Sequence, residues 1–188
     1  MGAALLLIDI QHDYFPGGEM ELEGSFESSL CAKRLLQFFR DANLPVIHIQ
    51  HVNLRPGATF FIPDTKGIEF HENVAPLPYE TVIRKNYPNS FRETTLLKHL
   101  EKESIKRLVI SGMMTHMCVD ATCRAAFDYG FECTVVSDTC ATKSLSFEGT
   151  IIPATHVHGA FLAALNNIYA KVVKTADYIF SSTQSKSH

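Results

Sequence analysis

Six short apolar runs, each followed by a helical or turn-forming segment, set the pattern of this chain. Residues 3–10 are apolar except for Asp9, the pattern of a strand buried on both faces of a parallel sheet. Leu30, Leu35, Phe38 and Phe39 recur at helical spacing, predicting an amphipathic helix over 25–41 that ends at Asn43 and Pro45. Runs at 45–50, 80–85, 107–112 and 132–138 predict four further strands, and Val172-Val173 begins a last short one. Between them the pattern predicts helices over 93–103, 115–130 and 151–170, a turn over 87–91 and a polar connection over 142–148. This repeated β-α order predicts one α/β domain over 1–180 with a mainly parallel sheet of about six strands. A polar tail follows over 181–188.

Two segments break the rhythm. Gln11 to Met20 carries Phe15-Pro-Gly-Gly18, a loop by its turn residues. Val52 to Tyr79 is proline-rich and aperiodic, yet its aromatic residues Phe60, Phe61, Phe70 and Tyr79 argue against disorder. A long loop at an active site or an oligomer contact is expected there.

Composition narrows the function classes. Hydrophobic residues make up 46% and charged residues 20% of 188, as in soluble globular proteins. A net charge of −3 supplies no basic footprint for nucleic acid or anionic lipid. No apolar run is long enough to span a bilayer, and the start lacks the basic region of a signal peptide. Five cysteines without CxxC spacing imply reduced thiols and a cytoplasmic protein.

The candidate chemistry sits at strand ends. Asp9 ends the first strand, Lys85 ends the third, and Cys118 follows the fourth. Strand carboxyl ends of a parallel sheet share one edge, so the three side chains are expected to converge. Cys118 is expected in the first turn of a helix, where unpaired N–H groups and the dipole favour a thiolate. Desolvation is expected to raise the Asp9 pKa, making it a proton acceptor near neutral pH, with Lys85 as electrostatic partner. Each has a plainer alternative: a packing thiol for Cys118, and a partly buried ion pair for Asp9 and Lys85.

Three motifs in order then carry a resemblance. They are Ile8-Asp9-Ile10-Gln11-His12-Asp13-Tyr14-Phe15 with its Gly-Gly, Lys85-Asn-Tyr-Pro-Asn-Ser90-Phe91, and Gly112-Met-Met-Thr-His-Met-Cys118-Val-Asp-Ala-Thr122. The chain resembles the isochorismatase-like cysteine hydrolases, which include nicotinamidases and ureidoacrylate amidohydrolases. The resemblance implies a three-layer α/β/α sandwich, a catalytic triad of Asp9, Lys85 and Cys118, and a cis peptide before Met114. It implies oxyanion donors at the backbone N–H groups of Met114 and Cys118, and a homo-oligomer, dimer or tetramer. Gln11, Phe15, His51, Phe60, Phe61, His71, Phe91 and His116 are candidate pocket residues. Nicotinamidases bind a metal through an Asp-x-His pair and a later His. Here His51 and Asn53 stand at that pair with no carboxylate, and His71 lies further on, which argues against nicotinamide as substrate. His51 and His71 are candidate ligands for a soft divalent ion, with a structural or substrate-contacting role as the alternative. The expected activity is hydrolysis of a small amide or ureide through a Cys118 thioester, with no organic cofactor and no obligatory metal. Vinyl-ether hydrolysis of the isochorismatase type, or a non-catalytic binding protein of the same fold, are the alternatives.

Overall fold

The computed structural model describes residues 3–184. The elements in chain order are β1 (Ala3–Ile8), α1 (Ser25–Asp41), β2 (Val46–His51), β3 (Thr81–Lys85), α2 (Leu96–Lys102), β4 (Arg107–Met113), α3 (Asp120–Asp128) and β5 (Glu132–Ala141). Then come β6 (Leu145–Phe147), β7 (Thr150–Ile152), α4 (Ala154–Ile168), β8 (Lys171–Val173) and α5 (Thr175–Gln184). Six strands form one sheet in the order β3-β2-β1-β4-β5-β8, every neighbouring pair parallel.

The apolar run of β1 explains its place near the middle. Successive side chains point to opposite faces, and each face has its own core. Ala4, Leu6 and Ile8 pack with α2, α3 and α4 through Leu96, Leu100, Val119, Cys123, Ala126, Leu162 and Leu165. Leu5 and Leu7 pack on the other side with Ala32, Leu35, Leu36 and Phe39 of α1 and with Tyr178 of α5. The result is the expected three-layer α/β/α sandwich.

Several boundaries differ from the sequence pattern for identifiable reasons. Residues 115–119 form a wide π-type turn, so the regular helix α3 starts only at Asp120. Pro153 fixes the start of α4, and Ile151 and Ile152 are strand residues. The stretch expected as a polar connection contributes β6, which pairs with β7 in an antiparallel hairpin. Helix α5 was not anticipated; residues 181–184 of the expected tail continue it, and 185–188 lie outside the described residues. Among the described residues no helix is long and apolar enough to cross a membrane.

The long 52–79 segment is tied down by backbone bonds. The N–H of His12 donates to Glu69 O, that of His71 to Ile10 O and that of Asn53 to Phe61 O. It therefore wraps the carboxyl ends of β1 and β2 and buries Phe61 completely. The Phe61 N–H donates to the Asp13 carboxylate, and Gly67 lets that carboxylate approach, since a Cβ there would overlap it.

Candidate active site

Register brings the key residues together. In the parallel β2–β3 pair His51 lies directly opposite Lys85, so the two side chains start from one row of the sheet. Asp9 is the first residue past β1 and takes a positive φ of 52°, as the chain turns out of the strand. On the far side β4 presses against β1. Gly112 sits opposite Ile8 with φ of +139°, and any Cβ there would run into the Ile8 backbone. The Met113–Met114 peptide that follows is cis, and the π-type turn then delivers Cys118.

The resulting cluster is compact and almost closed to solvent. Lys85 Nζ lies 2.7 Å from Asp9 Oδ2. The same ammonium is 3.2 Å from His51 Nδ1, and donates to the carbonyl oxygens of Tyr87 at 3.1 Å and Pro88 at 3.2 Å. His51 Nδ1 stands 3.7 Å from Asp9 Oδ2 and 4.0 Å from Cys118 Sγ. Asp9, Lys85 and Cys118 are 0%, 1% and 3% exposed. Asp9 Oδ1 has no hydrogen-bond partner among the described residues. An unpaired buried carboxylate oxygen is costly.

Charge states follow from these contacts, and two expectations are corrected. Burial pushes the Asp9 pKa up, but the adjacent Lys85 ammonium and the His51 ring outweigh it. The carboxyl is held below its ordinary value instead of above it. Burial disfavours the Lys85 ammonium, yet Asp9 and Cys118 beside it raise its pKa. The Cys118 thiol is pushed well up, first by burial and then by the Asp9 carboxylate, with Lys85 acting against both. The resting site is thus a neutral thiol beside an ion pair, not the thiolate expected from a helix N-terminus. The physical reason is local: Cys118 sits in the π-type turn ahead of α3, buried beside an anion.

The other predicted residues divide sharply. Gln11 is a clamp on the His51 peptide: its Nε2 donates to His51 O at 2.9 Å and to Ile68 O at 2.9 Å, and its Oε1 accepts from His51 N at 2.7 Å. Phe61 lies 5.6 Å from the His51 ring and, with Phe60, packs on Tyr14. His71 is not beside His51. It stacks on Phe15 at 3.8 Å, its Nδ1 accepts from Asn73 N, and its Nε2 faces Glu72. The His51/His71 metal pair therefore does not form. Asp9, His51 and Cys118 do bring their donor atoms within 4.8 Å of one another, but the Lys85 ammonium already occupies the cation position among them. Phe91 packs against Tyr129 and Phe131 in the apolar core that also holds Cys118. His116 bonds Thr142 through Nδ1 and lies against Phe161.

Sequence reasoning missed two contributors. The carbonyls of Tyr87 and Pro88 orient Lys85, and the only trace in the sequence is the turn that follows the lysine. Buried Tyr14, whose pKa is raised by burial and then by the charges of Cys118 and Asp9, lies inside the first motif but was not singled out.

An all-parallel six-stranded α/β/α sandwich with an acid, a lysine and a cysteine gathered at its carboxyl edge places reactive groups where open α/β sheets bind ligands. An isochorismatase domain matches residues 3–177, and the chain belongs to that family of hydrolases. It is 50% identical over 179 residues to the uncharacterized isochorismatase family protein YddQ of Bacillus subtilis, covering 95% of this chain and 99% of that one. A crystal structure of an isochorismatase hydrolase from Oleispira antarctica superposes with a TM-score of 0.91 at 45% identity, covering 94% of this chain and 95% of the other. The ureidoacrylate amidohydrolase RutB of Caulobacter vibrioides is 25% identical over 93% of this chain and 88% of its own length.

Proposed function

We propose that this protein hydrolyses a C–N bond in a small amide or ureide, with Cys118 as nucleophile, Asp9 as proton acceptor and Lys85 as electrostatic partner. One observation carries the reading: Asp9, Lys85 and the Cys118 sulfur share a buried cluster in which Asp9 Oδ1 has no hydrogen-bond partner among the described residues. The similarity to an amidohydrolase supports the bond class.

The charge states define the order of events. The neutral Cys118 thiol gives its proton to Asp9 as sulfur attacks the carbonyl carbon, so charge is never stranded in the buried site. The Lys85 ammonium balances the sulfur's developing charge and then the carboxylate that returns. The N–H groups of Met114 and Cys118 receive the oxyanion. Protonated Asp9 hands its proton to the leaving nitrogen and a thioester forms. Water then attacks the thioester, Asp9 takes the water's proton and passes it to the departing Cys118 sulfur, and the product acid leaves with the Asp9 carboxylate and the thiol restored. No organic cofactor or obligatory metal enters this sequence. The same reading places the protein in the cytoplasm, which its five free cysteines support, as a homo-oligomer, which exposed Phe147 and Ile151 on the β6–β7 hairpin support.

The test is ammonia release over a panel of small amides, ureides and nicotinamide, with and without chelator, beside Cys118→Ala. Turnover that survives chelation and vanishes in Cys118→Ala is expected. Turnover retained in Cys118→Ala would overturn the nucleophile assignment.

A further inference from the structure

Lys85 must hold one position between an acid and a sulfur, and its long chain has no intrinsic reason to do so. Lysine is a flexible stem carrying a point charge with three donors. Around it stand the Asp9 carboxylate, two turn carbonyls and His51 Nδ1. The histidine differs from the others in position: its Nδ1 lies within 4.0 Å of Cys118 Sγ as well as within 3.2 Å of Lys85 Nζ. It is also built in with unusual care. Parallel register sets it opposite Lys85, and Gln11 fixes both polar atoms of its peptide from the loop after β1. The buried Phe61 ring lies 5.6 Å from the imidazole, and His51 is 9% exposed.

We infer that His51 is a positioning residue for the nucleophile: its Nδ1 accepts a hydrogen bond from Lys85 and holds the ammonium against Cys118 as well as against Asp9. This donor–acceptor sense fixes the proton of a neutral ring on Nε2. Four acceptors share the three ammonium donors, and without Nδ1 Lys85 is free to settle wholly onto the carboxylate and the Tyr87 and Pro88 carbonyls. The sulfur then loses its nearby positive charge. Gln11 acts one step further out by holding the His51 backbone. The inference rests on the cysteine-hydrolase reading and assigns the residue that tunes its nucleophile.

The experiment is iodoacetamide alkylation of Cys118 in the folded protein at about pH 8.5, near the ordinary thiol value, followed by peptide-resolved mass spectrometry. Melting temperature is measured on every variant. His51→Leu and His51→Gln should slow alkylation by about 10- to 100-fold, the scale of lost outer-shell contacts. His51→Asn places an acceptor close to the Nδ1 position and should recover most of the rate; Gln reaches toward the Nε2 position and should not. In a Lys85→Met background, His51→Leu should add no further loss, because the histidine acts through the lysine. Wild-type rates in His51→Leu, equal rates in the Asn and Gln variants, or multiplying losses in the double variant would each overturn the inference. An unreactive Cys118 in the wild-type protein would instead remove the nucleophile reading, and this one with it. A packing role alone would follow melting temperature and would not separate Asn from Gln.

Discussion

Strands β2 and β3 carry two buried ionic clusters at opposite ends, and they are built to opposite ends. Toward the start of β3, the Glu80 carboxylate is fully used. Arg40 Nε meets Oε1 at 2.7 Å, while Oε2 takes Arg40 NH2 at 2.7 Å, Leu77 N at 2.8 Å and His48 Nε2 at 2.9 Å. At the carboxyl edge, Asp9 has one close ammonium, Lys85, and an Oδ1 with no hydrogen-bond partner among the described residues. The first arrangement pins α1 to the sheet edge and uses both carboxylate oxygens. The second leaves a carboxylate beside a thiol with a vacancy for a proton. Buried charge by itself is weak evidence for function. The difference lies in whether its hydrogen-bonding capacity is exhausted.

Substitution at each cluster should separate chemistry from stability. Asp9→Asn keeps the shape but removes the proton acceptor. Turnover in the ammonia assay should fall by about 10²- to 10⁴-fold, the usual contribution of general acid–base catalysis, beyond the loss of stability that follows from leaving the buried Lys85 without its counter-ion. A variant with turnover close to wild type would break the comparison at its functional end.

Glu80→Gln should do the reverse. It strands Arg40 next to His48 and loses about 3–5 kcal/mol of stability, as breaking buried pairs does, measured by urea unfolding. Turnover in the folded fraction should hold at the wild-type level. A large drop in turnover with unchanged stability would show that the two clusters are coupled.

Acid should read the structural cluster directly. The Glu80 pKa is held down at about 2: burial raises it, but Arg40, the Leu77 N–H and His48 together overcome that. A carboxyl whose folded value is depressed contributes stability that is complete above its ordinary pKa. That stability is lost as pH falls toward the folded value. It should therefore decline from about pH 4.5 to pH 2, and Glu80→Gln should flatten that part of the curve. An unaltered acid limb in the variant would place the titrating group elsewhere. Burial also holds the His48 pKa below its ordinary value, so the neutral ring adds a separate decline that begins as pH falls below about 6.5.

The smallest effect belongs to a surface pair. Arg124 bonds Asp120 one helical turn away on α3 at 2.9 Å. Asp120→Asn should cost only about 0.3–0.5 kcal/mol, and less in high salt. A loss the size of that at Glu80 would mean that distance, not burial, governs the strength of these pairs.

The site's chemistry was largely legible in the chain. An acid closing an apolar strand, a lysine closing another and a cysteine after a third point to one edge once the sheet is parallel, and they do meet there. Legibility failed where contacts are non-local. His71 carries the same side chain as His51, but His51 ends a strand beside Lys85, whereas His71 was drawn onto Phe15 by the path of the 52–79 loop. Phe91 belongs to a catalytic-looking motif, yet aromatic packing with Tyr129 and Phe131 turns it into the core. The β6–β7 hairpin escaped detection because its exposed, short strands carry too weak an alternation to stand out from a loop.

What the sequence determined by itself is whatever follows from period and order: buried β1, the parallel sheet, its two apolar faces, and the edge where Asp9, Lys85 and Cys118 gather. Tertiary structure decided the protonation states. Whether Asp9 is raised by burial or lowered by a neighbour depends on a 2.7 Å separation between residues 76 positions apart, and no local pattern encodes that distance. It likewise decided that Cys118 rests as a thiol in a wide turn and that His51 completes its surroundings. Electrostatic energy depends on separation and burial, and both come into being only when the chain has packed.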